Sequence, residues 1–344
     1  DIWMDDVDGI SLLREWSEGG NLPCPVIIMS GHATVETAVE ATRLGAYDFL
    51  EKPLSLAKLL LTVEHALEAE RLTQENVGLK RLASPVIEPI GHSAVIQRLR
   101  EQVKRVAQHD SWVLISGEPG SGRETFARYL HAHSSRKDRP FIDTAVSTIS
   151  PGNAARELFG SERDGTIQYG RLEQAAGGTL FLDEVADMDL EAQAQLVGAL
   201  DTGSFMRVGG SAPVTIDVRV IAATQRDLQG AVEAGRFRED LFYQLNVVPL
   251  VVPPLRDHRE DIPELLQSAV DRLVEQDRLP YRRFSIAAQN ILRNHSWPGN
   301  IRELKNLVQR VLILGTGDEI SPQEVESAMG AAQVASGAGG IPDV

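Results

Sequence analysis

The chain has 344 residues, 42% hydrophobic and 24% charged. At roughly 100–200 residues per domain this suggests two or three globular domains and excludes fibrous or disordered material. Lys and Arg number 34 against 49 Asp and Glu, a net charge of −15, so contact with a phosphate backbone needs a local basic patch or a further domain. No apolar run approaches the ~18 residues of a membrane span, and no signal-peptide pattern opens the chain. The single cysteine, Cys24, excludes a disulfide framework and a cysteine-rich zinc site. The expectation is a soluble, cytoplasmic protein without a membrane partner.

Residues 1–66 read as part of an α/β unit. The run from Pro25 to Ser30 predicts a buried strand. Thr34 to Leu44 carries helical spacing and stops at Gly45, and Tyr47–Leu50 predicts a second strand closed by Lys52-Pro53. A helix starting near Ser55 places Leu56, Leu60, Val63 and Leu67 on one face. Over 67–87 it continues with Ala69, Leu72, Asn76, Leu79 and Ala83 at 3- and 4-residue steps. This is either the seam of a short coiled coil or a solvated linker helix, with Gly78 weakening it.

Residues 88–253 alternate helical stretches with strand runs at Trp112–Ser116, Thr179–Leu182, Val218–Ala223 and Val247–Val252, which argues for a mostly parallel sheet covered by helices. Residues 254–330 read as purely helical after Pro253-Pro254, with Trp297-Pro298-Gly299-Asn300 as a helix-entry turn. The Ala- and Gly-rich stretch 331–344 reads as a flexible tail.

Two elements carry chemistry. Gly117, Glu118, Pro119, Gly120, Ser121, Gly122, Arg123 and Glu124 follow a strand run and open a helix. Glycines there let backbone N–H groups face phosphates, and the helix N-terminus adds partial positive charge. The strict phosphate-loop pattern asks for Lys then Ser/Thr, so Arg123 and Glu124 both depart from it. About 60 residues further on, an apolar strand run ends in Asp183 and Glu184. An NTPase places there one acid for Mg²⁺ and one to activate water. His131 and His133 lie two apart and cannot share a helix face as metal ligands.

Taken together with Glu157–Gly160, Arg207–Gly210, Asp217–Thr224, Phe237–Leu241 and Trp297–Glu303, these stretches resemble the AAA+ domain of the NtrC family of bacterial enhancer-binding response regulators. Glu124 is then expected, since Glu follows the loop lysine in that family. The resemblance implies an AAA+ P-loop three-layer αβα domain with a C-terminal helical lid. Residues 1–66 resemble a truncated, flavodoxin-like receiver without its first half. Asp1 matches the phosphoacceptor, Ser30 the switch hydroxyl, Phe49 the switch aromatic and Lys52 the phosphoryl-pairing lysine. The acids that hold Mg²⁺ in receivers would precede Asp1, so normal phosphorylation is not expected of this chain, which reads as a fragment or as a deletion. Tyr47–Pro53, His131–Ser135 and Asp183–Met188 have the character of the family's NtrX branch.

That resemblance implies ATP or ADP bound with Mg²⁺ on Asp183, Glu184 as water-activating base, Thr224-Gln225 as sensor and Arg302 as the lid arginine. Arg238 would reach a neighbouring subunit's site; the plainer alternative is a surface ion pair with Glu239 or Asp240. The implied partners are further copies of the chain in a dimer or ring, an NtrY-like sensor kinase and RNA polymerase, with DNA contacted through a domain beyond Gly330. Four departures weaken turnover. Arg123 replaces the loop lysine, and its planar fork is no substitute for a compact ammonium. Ala145 replaces the asparagine that holds the catalytic Glu. Gln244 replaces the second neighbour-reaching arginine, a group type that contributes ~10³–10⁵ in related phosphoryl transfer. Between Gly160 and Gly170 the sigma-54-contacting GAFTGA loop is missing. A nucleotide-gated scaffold is favoured; a working, partner-remodelling ATPase stays open.

Overall fold

The computed structural model describes residues 9–18, 25–31, 41–67, 88–150, 152–163 and 166–337, in two compact units divided after Pro85. In the first unit, helix Gly9–Glu18 accompanies β1 (Ile27–Ser30) and β2 (Asp48–Glu51), which pair in parallel with Ser30 opposite Glu51. Ile10, Leu13, Ile28, Ala41 and Ala46 form its small core. Residues 56–67 are helical, as the spacing predicts, and Leu56, Leu60, Val63 and Leu67 share a face. That face is exposed, however, with Leu56 at 70%; the same helix buries Thr62 and Ala66. Asp1 and the continuation over 69–83 lie outside the described residues, as does most of the helix expected from Thr34.

The second unit is built on five parallel strands: β3 (Val113–Ser116), β4 (Phe141–Ala145), β7 (Thr179–Asp183), β10 (Arg219–Thr224) and β11 (Val248–Val251), in the order β11-β3-β10-β7-β4. All six residues of β10 are buried, as expected of a strand covered on both faces. Alternation divides the sheet's side chains between two cores. Leu114, Leu180, Leu182, Val220 and Ala222 point to one; Val113, Ile115, Phe181, Ile221 and Ala223 point to the other. Four of these strands match the apolar runs, while the edge strand β4, with polar Asp143 and Thr144, gives no such run.

Two short antiparallel hairpins leave this sheet, β5 (Ser161–Arg163) with β6 (Thr166–Gln168), and β8 (Ser204–Met206) with β9 (Pro213–Thr215). Gly160 and Gly170 close the first where the backbones touch: a Cβ on Gly160 would lie 2.3 Å from Gln168 O. The segment after β8 ties it down: Glu162 N–H donates to Val208 O at 3.0 Å, and Arg207 Nη1 lies 3.6 Å from Glu162 Oε2.

The lid packs helices Ile262–Asp277, Ile286–Asn294, Asn300–Leu314 and Pro322–Gly337 around buried Trp297. It is not purely helical. β12 (Arg283–Phe284) pairs with β13 (Glu319–Ile320), because buried Arg282 draws in the carbonyls of Thr316, Gly317 and Glu319. The last helix runs to Gly337, so the stretch after Gly330 continues a helix where the sequence suggested a tail; Ala residues there favour it.

Candidate functional site

Strand order creates the site. β3 and β7 both flank β10, so the loop leaving β3 and the acids ending β7 open at the same carboxyl edge, where ligands of open α/β sheets bind. The loop can turn back because Gly120 and Gly122 sit at φ 74° and 102°. Gly122 N-caps helix Arg123–Ala132 without a side-chain hydrogen bond. The first helical N–H groups thus have no side-chain cap, the arrangement that suits an anion. Ser121 Oγ is buried and has no partner among the described residues.

The lid clamps this loop. Ile301 N–H donates to Gly120 O at 3.0 Å, and Asn300 Nδ2 donates to Pro119 O and Glu118 Oε2, each at 3.1 Å. Arg256 forks onto Glu118 at 2.8 and 2.6 Å. The Arg256 and Asn300 bonds hold the Glu118 carboxyl down at about 2. Arg302 lies beside the loop, exposed, its guanidinium without a partner among the described residues. Sequence reasoning placed Asn300 only in a helix-entry turn, without its bonds to the loop, and missed Arg256; the Pro-Gly-Asn turn was the available signal for the first.

Arg123 dominates the acid pair. It is 7% exposed and donates from Nη1 to Gly117 O at 3.0 Å. Its Nη2 bonds Glu184 Oε1 and lies 3.3 Å from Asp183 Oδ1. Burial leaves the Asp183 pKa raised, Arg123 offsetting only part of that effect. Glu184 sits in the left-handed region at φ 54°, and its Oε2 accepts from Gln225 N–H at 3.2 Å. Ala145 stands opposite Asp183 in register and offers only a methyl group. Glu124 is taken by Arg128 Nε at 2.8 Å.

The geometry of the phosphate cradle fits a nucleotide. Mg²⁺ on Asp183 does not fit as the side chains stand, since the Arg123 guanidinium lies 3.3 Å from Asp183 Oδ1 and would face the cation. Of the Thr224-Gln225 pair, Thr224 is buried and its hydroxyl accepts from Arg226 N–H at 3.0 Å, while the Gln225 amide makes the contact to Glu184. Arg238 forks onto Asp240 at 3.0 and 2.6 Å, exposed at the start of helix Glu239–Leu245. Gln244 bonds Asp201. In the first unit, Ser30 and Lys52 meet at the strand ends, with Lys52 N–H donating to Ser30 O at 2.8 Å.

Away from the loop, His92 and Glu264 approach Asp261. Asp261 is already spent on His92 N, Ser93 N, Ser93 Oγ and His258 Nδ1, which makes the group a structural joint.

Three family models match the chain: the response regulator receiver domain over residues 1–64, the sigma-54 interaction domain over 89–251 and the AAA+ ATPase lid domain over 256–339. The nitrogen assimilation regulatory protein NtrX of Azorhizobium caulinodans is 45% identical, over 92% of this chain and 70% of that protein. The transcriptional regulatory protein ZraR of Klebsiella oxytoca is 42% identical, over 97% and 76%. Crystal structures of Brucella abortus NtrX superpose with TM-scores of 0.68 for its ADP complex and 0.69 for its ATP complex. Their identities are 41% and 40%, covering 96% and 100% of this chain and 74% and 75% of theirs. Receiver, sigma-54 interaction domain and AAA+ lid in one chain define a transcriptional response regulator. The chain belongs to the NtrC family of enhancer-binding regulators, with relatives that include NtrX.

Proposed function

We propose that this chain acts as an NtrX-type two-component regulator whose AAA+ unit binds ATP or ADP between loop and lid and turns it over slowly or not at all. ADP and ATP in Brucella NtrX at 41% and 40% identity support the ligand. The observation that carries slow turnover is the double engagement of Glu184, by Arg123 at one oxygen and Gln225 N–H at the other. A carboxylate with both oxygens already accepting is held in place and loses basicity, so it is a weaker base toward the attacking water. The sequence between Gly160 and Gly170, which carries no GAFTGA, argues against remodelling of sigma-54 polymerase. The receiver match supports control by a cognate sensor kinase, with nucleotide setting assembly into a dimer or ring. DNA contact would belong to a further domain.

A second reading, a working ATPase, is favoured by the retained Asp183 and Glu184 and by Arg238, exposed and able to swing from Asp240 to a neighbour. Steady-state ATP turnover at high protein concentration, beside Glu184→Gln and an ADP titration, separates the two. Saturable binding with equal, negligible turnover in both proteins supports the scaffold. Turnover that disappears in Glu184→Gln establishes the ATPase.

A further inference from the structure

Resting on that nucleotide-binding reading, we infer that Arg123 stands in for the divalent cation at the acid pair, so that the site takes a nucleoside di- or triphosphate as its free anion. A P-loop site has to compensate the acids at the strand end as well as the incoming phosphates, and a bridging Mg²⁺ ordinarily serves both. Here the compensation is built into the chain. The Arg123 guanidinium contacts Glu184 directly, lies 3.3 Å from Asp183 and is braced at 3.0 Å by Gly117 O. Asp183 Oδ1 also accepts from Glu184 N–H at 3.1 Å.

The third carboxylate at the loop, Glu124, belongs to Arg128. Ala145, facing Asp183 across the ladder, adds no oxygen ligand. A divalent cation arriving at this edge meets a permanent positive charge and three carboxylates already engaged. Arginine suits the task where lysine does not: it stays charged, and its fork reaches both acids and the loop carbonyl at once. The arriving phosphates then find the uncapped helix N-terminus and the unpartnered Ser121 hydroxyl.

The test is calorimetric titration of ATP into the whole chain, once with excess MgCl₂ and once in EDTA, for the wild type and for Arg123→Lys. The wild-type dissociation constants are expected to agree within about threefold, while Arg123→Lys binds at least about tenfold tighter with Mg²⁺ (about 1.4 kcal/mol). Wild-type binding that needs Mg²⁺ by tenfold or more overturns this inference and leaves the nucleotide reading standing. Equal Mg²⁺ dependence in the two proteins overturns it as well. Absence of ATP binding under both conditions overturns the nucleotide reading and this inference with it. Should Arg123→Lys not fold, the wild-type pair of titrations decides alone.

Discussion

Asn300 and Glu118 meet 182 residues apart in sequence, the Asn300 amide donating to Glu118 Oε2 at 3.1 Å. The same side chain accepts from Leu255 N–H at 2.8 Å and donates to Pro119 O, so one buried amide joins the phosphate loop, the lid entrance and the lid's central helix. Its backbone adopts φ 53°, a conformation Asn tolerates better than most residues.

Asn300→Ala leaves the Leu255 N–H buried without a partner and strains the left-handed backbone. A loss of about 1–3 kcal/mol is expected in urea unfolding, with weaker nucleotide binding. Asn300→Gly relieves the strain and leaves the hydrogen-bond loss, so it should recover only part of the stability.

Glu118 supplies an acid-sensitive latch. Its pKa is lowered from 4.5 to about 2 by Arg256 and Asn300. The folded state therefore holds the carboxylate charged where the unfolded chain would bind a proton. This contribution is complete above about pH 4.5 and is lost as pH falls towards 2. Arg256→Gln should melt below the wild type at pH 7, and the gap should close between these two values. A gap that stays constant down to pH 2 would show that the pair contributes nothing through its charge.

Gly120→Ala tests the loop–lid approach. An added Cβ would lie 2.5 Å from Gly299 O and 2.9 Å from Arg302 Cβ, at φ 74°. The loop must move off the lid to accept it. ADP affinity should fall at least tenfold, about 1.4 kcal/mol, while far-UV dichroism stays native.

Trp297 carries the lid core. It is fully buried, and its Nε1 donates to Leu292 O at 2.8 Å. Trp297→Ala opens a cavity and orphans that carbonyl, for an expected loss of about 3–5 kcal/mol in chemical unfolding. Wild-type stability in this variant would contradict the packing described for the lid.

Strands β3, β7 and β10 were legible as apolar runs because both faces of the inner sheet are covered. The edge strand β11 was legible because it keeps apolar residues even where Pro249 and Val251 are exposed. β4, at the other edge, was not, since it keeps polar Asp143 and Thr144 among its five residues. The hairpins escaped for a related reason: three-residue strands are too short to show alternation. Helix 56–67 was legible as a helix, but periodicity marks an apolar face without saying what covers it, and Leu56, Leu60 and Leu67 are exposed. The helix over 331–337 is not legible in the sequence, because Ala-rich composition suits helix and tail alike.

The loop glycines, the acids after an apolar strand and the ordered set of family stretches were determined by the sequence alone, because local backbone demands and short spacings carry them. Tertiary structure decided which partner each charge has. Arg123 sits 61 residues before Glu184, and only the order β3-β10-β7 sets the gap between their strand ends. For the same reason Gln225's amide, not Thr224's hydroxyl, reaches the acid, and Asn300 and Arg256 of the lid meet Glu118 of the loop. Residue type states what a side chain can bond; strand order and helix docking determine which groups come within 3 Å.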